Sequence, residues 1–168
     1  MNDLIQPSPR GDVLRCRRCN TAVGEVEDFC PRCGNLFHKS VNCTVHPDRA
    51  ARGVCVVCAT ALCGRCGKQK RGVWLCAEHA HYEIYQSMVR VFGTRDAVQA
   101  QYAASCLEQA GAHAFVYSRM PAMSAEGEAG IVGEHKVLVP PGEVLAAEQL
   151  LGELGILGST EAGSQGVS

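Results

Sequence analysis

Twelve cysteine and histidine residues fall into six pairs, each with two residues between its members. Four are C-x-x-C pairs: Cys16/Cys19, Cys30/Cys33, Cys55/Cys58 and Cys63/Cys66. Two are C-x-x-H pairs, Cys43/His46 and Cys76/His79. This spacing constrains the fold more than any other feature, because a tight turn of that length aims both side chains at one ion, with sulfur at roughly 2.3 Å. Twelve donors make three tetrahedral sites with none left over, so three structural Zn²⁺ per chain are expected. Four protein ligands at each site would leave no open position for catalysis. The residue after a second ligand often needs positive φ, and Asn20, Gly34 and Gly67 stand at three of those positions.

Other uses of the cysteines fit less well. A disulfide framework needs an oxidising compartment and leaves the two C-x-x-H pairs unexplained. A thioredoxin-like redox pair needs a βαβ context, which none of the four C-x-x-C pairs has. Four cysteines can hold an iron–sulfur cluster, but histidines at fixed spacing favour zinc. The opening MNDLIQPSPRGD carries Asp3, Pro7 and Pro9 and lacks the apolar stretch of a signal peptide. No window approaches the roughly 18 apolar residues that span a bilayer. A cytoplasmic location without a membrane span is therefore expected.

The pairs divide the first half of the chain. Residues 1–11 are expected to be a disordered N-terminus. Residues 12–38 contain LRCRRCNTAVGEVEDFCPRCG, two knuckles separated by ten residues. This segment resembles the small zinc-ribbon family, which implies Cys16, Cys19, Cys30 and Cys33 as one ligand set. Its expected core is thin: Leu14, Val23, Val26 and Phe29. Zinc, worth on the order of 10–16 kcal/mol per site in small peptides, would have to hold it together.

Residues 41–82 read C-x2-H, eight residues, C-x2-C, four, C-x2-C, nine, C-x2-H. Spacing alone allows two sequential sites, Cys43/His46/Cys55/Cys58 and Cys63/Cys66/Cys76/His79, as well as interleaved ones. The segment resembles a B-box zinc finger, specifically in Pro47 after His46 and in the C-x-x-C-x4-C-x-x-C core. That resemblance implies a cross-brace, with one zinc on Cys43, His46, Cys63 and Cys66 and another on Cys55, Cys58, Cys76 and His79. The segment departs from many B-boxes in closing with Cys76 and His79 rather than two histidines. His81 has the wrong spacing and is expected to be solvated.

Residues 86–157 hold no metal pattern. SMVRVF alternates like a strand, and Thr94 is a candidate N-cap for a helix over about 95–110. Val98, Tyr102, Cys106 and Ala110 recur every four residues, with Ala103 and Leu107 beside them, and suggest its apolar face. Gly111 is a C-terminal stop. HAFVYS and HKVLVP read as two further strands around a Gly- and Ala-rich loop over roughly 119–133. A second helix is expected over about 143–154, burying Val144, Ala147, Leu151 and Leu154. The order β-α-β-β-α is a ferredoxin-like split βαβ half. The fold class expected for the whole chain is thus small zinc-stabilised modules plus an α+β domain.

The stretches VFGTRDAVQAQYAASCLEQAGAHAFV, KVLVPPGEV and AAEQLLGELG resemble a bacterial family of prokaryotic signal-transducing proteins, a domain of unknown function. The resemblance implies a small α+β module related in shape to nitrogen-regulatory trimers, and it carries no catalytic residue. Residues 158–168 are Gly/Ser-rich and expected to be disordered.

Charge separates the halves formally. Residues 1–81 hold 12 Lys+Arg against 7 Asp+Glu, and residues 82–168 hold 4 against 10. Ten thiolates and three Zn²⁺ would lower the first half from +5 to about +1. A patch at Lys68, Lys70 and Arg71, with Arg15, Arg17 and Arg18, is what a nucleic-acid reading would use. Catalysis is not expected. The one cysteine outside the pairs, Cys106, falls on the apolar helix face and reads as an inert core thiol. His113 and His135 sit in or beside strands that should pair, so they could approach each other, although a surface pair explains that equally well. A zinc-binding, non-catalytic adaptor or regulatory protein that docks an unidentified protein partner leads these readings. A nucleic-acid-associated zinc-ribbon protein comes second. A ubiquitin-ligase accessory comes last, since neither a RING nor a coiled coil accompanies the B-box-like segment.

Overall fold

The computed structural model describes residues 5–7, 14–38, 40–118 and 133–157. The loop expected over 119–133 (apart from Gly133) and the tail at 158–168 lie outside the described residues. The chain divides into two compact units, residues 1–87 and 88–168. Among the described residues, no helix is long and apolar enough to cross a membrane.

The first unit is made of short ladders that hold knuckles. Strand β1 (Ile5–Pro7) pairs antiparallel with β2 (Leu14–Cys16), which pairs with β3 (Ala22–Val23). Residues 5–7 were expected to be part of a disordered N-terminus. They instead satisfy their backbone against the free edge of β2. Cys16, Val23, Cys30, Cys33 and Phe37 form a small core, with Leu14 and Cys19 packed against it. Val26, expected in that core, is 95% exposed. It stands on the turn closed by Glu27 N–H donating to the Gly24 carbonyl at 3.4 Å. Phe37 takes the buried place, drawn in by its N–H bond to the Asp28 carbonyl at 2.9 Å.

Two hairpins follow. Strand β4 (Gly53–Val54) pairs with β5 (Ala61–Leu62), and β6 (Gly67–Lys70) pairs with β7 (Val73–Cys76). Val54, Leu62, Val73, Trp74 and Leu75 are buried between them. Trp74, the only tryptophan of the chain, lies so close to Gly53 that a Cβ there would overlap its ring.

The second unit is built on a sheet in which β11 lies between β10 and β9. Strand β8 (Ile84–Tyr85) is joined to β9 (Met88–Thr94) by Gln86 and Ser87, whose φ values are +49 and +67°. Helix α1 (Ala97–Gln109) leads to β10 (Phe115–Ser118), and β11 (His135–Val139) inserts between β9 and β10, antiparallel to both. A 3₁₀ turn at Pro141–Glu143 precedes helix α2 (Val144–Glu153). The unit is thus a mixed α+β arrangement with two helices packed on its sheet.

The helix expectations need three corrections. The N-cap of α1 is Asp96, whose carboxylate accepts from the N–H groups of Val98 and Gln99, while Thr94 Oγ1 accepts from Asp96 N–H at 3.2 Å. An aspartate two residues later outcompeted the threonine as the cap. The buried face of α1 is Ala100, Ala103, Ala104 and Leu107, whereas Val98 and Tyr102 are 77% and 57% exposed. Small alanines let the helix backbone approach a sheet that brings the bulk itself, through Val89, Val137 and Val139. The helix therefore rotates away from its largest side chains. Gly111, at φ +90°, ends α1 as expected: its N–H donates to the Glu108 carbonyl and Ala112 N–H to that of Leu107. In α2, Val144, Ala147 and Leu151 are buried as expected, but Leu154 is exposed because the helix ends one residue before it.

Candidate metal centres

Three of the C-x-x-C knuckles are closed by the same two hydrogen bonds. Asn20, Gly34 and Ala59 each donate N–H to the carbonyl of the first cysteine of their knuckle at 2.8 Å. The first cysteines, Cys16, Cys30 and Cys55, donate N–H to the carbonyls of Thr21, Asn35 and Thr60 at 2.9 Å. The turn forces positive φ after the second cysteine: +58° at Asn20, +73° at Gly34 and +56° at Ala59. Ala59 was not anticipated, since alanine gives no local signal for this geometry. Gly67, expected to share it, does not. It begins β6 opposite Cys76, and its lack of a side chain serves close approach to Leu62 and Trp74.

The six pairs converge two by two into three clusters. Cys16, Cys19, Cys30 and Cys33 form one cluster; Cys43, His46, Cys63 and Cys66 a second; Cys55, Cys58, Cys76 and His79 a third. Within each, the candidate ligand atoms lie within 4.8 Å of one another. The grouping is interleaved along residues 43–79, not sequential.

The spacing within the clusters fits a tetrahedral ion. Sulfur ligands at roughly 2.3 Å from a tetrahedral centre stand about 3.8 Å apart, and a nitrogen ligand shortens the edge slightly. Cys16 and Cys33 Sγ are 3.7 Å apart, and Cys19 and Cys30 Sγ are 3.5 Å apart. His46 Nδ1 lies 3.1 Å from Cys66 Sγ and 3.7 Å from Cys63 Sγ. His79 Nδ1 lies 3.1 Å from Cys76 Sγ and 3.5 Å from Cys55 Sγ. A disulfide would require about 2.05 Å, and all eleven cysteines are free.

Ionisation points the same way. The Cys33 thiol donates to Cys30 and, with help from the Cys33 and Arg32 N–H groups, brings Cys30 down to about 5 against the opposing effect of burial. Cys33 is pushed up, first by holding that shared proton and then by burial. At Cys43 burial raises the thiol, but N–H groups of Cys63, His46 and Val45 outweigh it and leave it at about 6. The fold thus favours some thiolates, while their crowding opposes the rest. A cation in the centre removes that conflict, because bound cysteines are deprotonated outright.

Two further residues touch the clusters. Thr21 Oγ1 is 3.2 Å from Cys19 Sγ, and Thr60 Oγ1 is 3.1 Å from Cys58 Sγ. Their signal was present in the sequence: CRRCNT and CVVCAT both place threonine two residues after the second cysteine.

The remaining candidates lie elsewhere. His81 is exposed, with Nδ1 2.7 Å from the Glu78 carbonyl oxygen. Cys106, expected in the core, is only half-buried, because the rotated helix carries it to the rim. His113 and His135 do not meet. His113 precedes β10 and places Nδ1 2.8 Å from Glu143 Oε1, whereas His135 pairs with Ser118, its Nδ1 2.7 Å from Ser118 Oγ. Lys70 donates to the carbonyls of Ala80 and Tyr82, and Arg71 to that of Ile84. These two cations of the basic patch are therefore engaged in holding the backbone around them.

Residues 88–155 match a family described as "putative prokaryotic signal transducing protein". No curated protein and no solved structure matches the chain. The second unit is thus similar to a signal-transducing domain, while the three clusters of the first unit could each hold a metal ion.

Proposed function

We propose that the chain is a non-catalytic zinc-binding adaptor or regulatory protein. In this reading residues 12–38 are a zinc ribbon and residues 41–82 a cross-braced B-box-type finger. Residues 86–157 are a ferredoxin-like signalling domain that docks a protein partner. The observation that carries the proposal is the presence of three separate four-donor clusters with tetrahedral spacing. Zinc is preferred because thiolate and imidazole donors in a closed tetrahedron suit it, and because small modules of this kind draw folding energy from it. Each ion would supply a cross-link between knuckles and no chemistry of its own.

The nucleic-acid reading is weaker, since Lys70 and Arg71 are tied to backbone carbonyls. Elemental analysis of protein purified without added metal tests the proposal. Three zinc per chain is the expected result. One ion per chain, or iron, would overturn it.

A further inference from the structure

The first and third clusters are joined through one residue. Trp74 N–H donates to the carbonyl of Cys33, a first-cluster ligand, at 3.1 Å. The Trp74 carbonyl accepts from Val56 N–H at 3.0 Å, inside the Cys55–Cys58 knuckle of the third cluster. A second bond runs alongside, from Val54 N–H to the Gly34 carbonyl at 2.8 Å. Val54 immediately precedes Cys55, and Gly34 immediately follows Cys33.

The approach depends on glycine at position 34. Its φ is +73°, and a Cβ there would overlap the Val54 carbonyl oxygen and stand 2.9 Å from Trp74 Cβ. Trp74 and Val54 are 8% and 3% exposed. If the Cys30–Gly34 knuckle opened, their N–H groups would be left buried without partners, which is costly. Neither module has a large core with which to absorb that loss. The penalty for emptying the first cluster therefore falls on the strand that leads into Cys55 and on the strand that carries Cys76.

We infer that metal binding at the first and third clusters is positively cooperative, transmitted by the Cys33–Trp74 and Gly34–Val54 backbone bonds. The inference rests on the reading of both clusters as metal sites. By linkage the coupling is reciprocal, so an ion at the third cluster favours the first by the same factor. A chelator or thiol oxidant that strips one site then strips the other, and the pair responds as a single switch.

The test uses the full chain, zinc, and a competing chromophoric chelator, with the ¹⁵N resonance of His79 Nδ1 reporting the third cluster. In wild type, zinc must shift that resonance; if it does not, the metal-site reading itself fails. Cys16→Ser, which disables the first cluster, is expected to weaken zinc binding at His79 by about 5–150-fold, the usual range of coupling. Unchanged His79 affinity in that variant would overturn the inference and leave the metal sites standing. A second comparison guards against simple misfolding. Asn20→Ala and Gly34→Ala both place alanine at positive φ after a first-cluster cysteine, but Asn20 is exposed and only Gly34 contacts Val54 and Trp74. Gly34→Ala should weaken zinc at His79 more than Asn20→Ala does. Equal effects of the two would overturn the coupling.

Discussion

Val56 N–H donates to the Trp74 carbonyl at 3.0 Å, and this bond draws the Cys55–Cys58 knuckle to the strand that ends at Cys76. A matching bond, Thr44 N–H to the Ala61 carbonyl at 3.0 Å, draws the Cys43–His46 knuckle to the strand that leads into Cys63. Together they skip each knuckle past its sequence neighbour, which is how the donors come to interleave. Cys63→Ser should therefore perturb the Nδ1 resonance of His46 in zinc-loaded protein and leave that of His79 in place. The reverse pattern would mean sequential sites in solution.

Metal removal should divide the chain by unit. Trp74, the one tryptophan, is packed among the knuckles of the first unit, while helices α1 and α2 both belong to the second. Chelation is expected to shift tryptophan emission to the red as the indole meets water. The helical circular dichroism at 222 nm should stay nearly constant. A parallel loss of both signals would show that the second unit depends on the metal.

The contrast between the units also explains what the sequence revealed. The candidate donors were legible because metal chemistry demands particular side chains at fixed spacing, and the pairs from Cys16 to His79 stand out without tertiary context. The candidate donors could be read from spacing, but their interleaving in residues 43–79 rested on the B-box resemblance, because spacing alone left it open. That interleaving depends on two backbone bonds made by Thr44 and Val56, which leave no mark on residue type. The α1 face was misread for a related reason. Periodicity identified a helix, but Val98 and Tyr102 outweighed Ala100 and Ala104 in apparent hydrophobicity. Close packing against Val89 and Val137 rewarded the smaller pair.

That rotated face makes a stability prediction. Leu107 is fully buried, so Leu107→Ala should cost about 2–5 kcal/mol. Val98→Ala, on the exposed side, should change stability by no more than about 0.5 kcal/mol. Asp96→Ala removes the cap of α1 and should cost about 1 kcal/mol. Urea unfolding followed at 222 nm separates the three. A Val98→Ala loss as large as that of Leu107→Ala would return the helix face to the Val98–Tyr102 stripe.

The two threonines offer a test of how the clusters would hold an ion. Thr21 and Thr60 occupy equivalent places in two knuckles, each with its hydroxyl near the Sγ of the second cysteine. Toward a bound thiolate that hydroxyl acts as the donor, since the sulfur then carries no proton. A donor to a metal-bound thiolate fixes its orientation and spreads its charge, and loss of such outer contacts typically costs 10–100-fold in metal affinity. Thr60→Val keeps the branched shape and deletes the hydroxyl, so zinc at the third cluster should weaken by an amount within about that range. Thr21→Val should do the same at the first cluster. If the two clusters are coupled, each substitution also weakens the other site, by a smaller factor. Thr60→Ser restores the hydroxyl and should recover most of the affinity. Equal weakening by Thr60→Val and Thr60→Ser would instead assign the effect to the lost methyl packing.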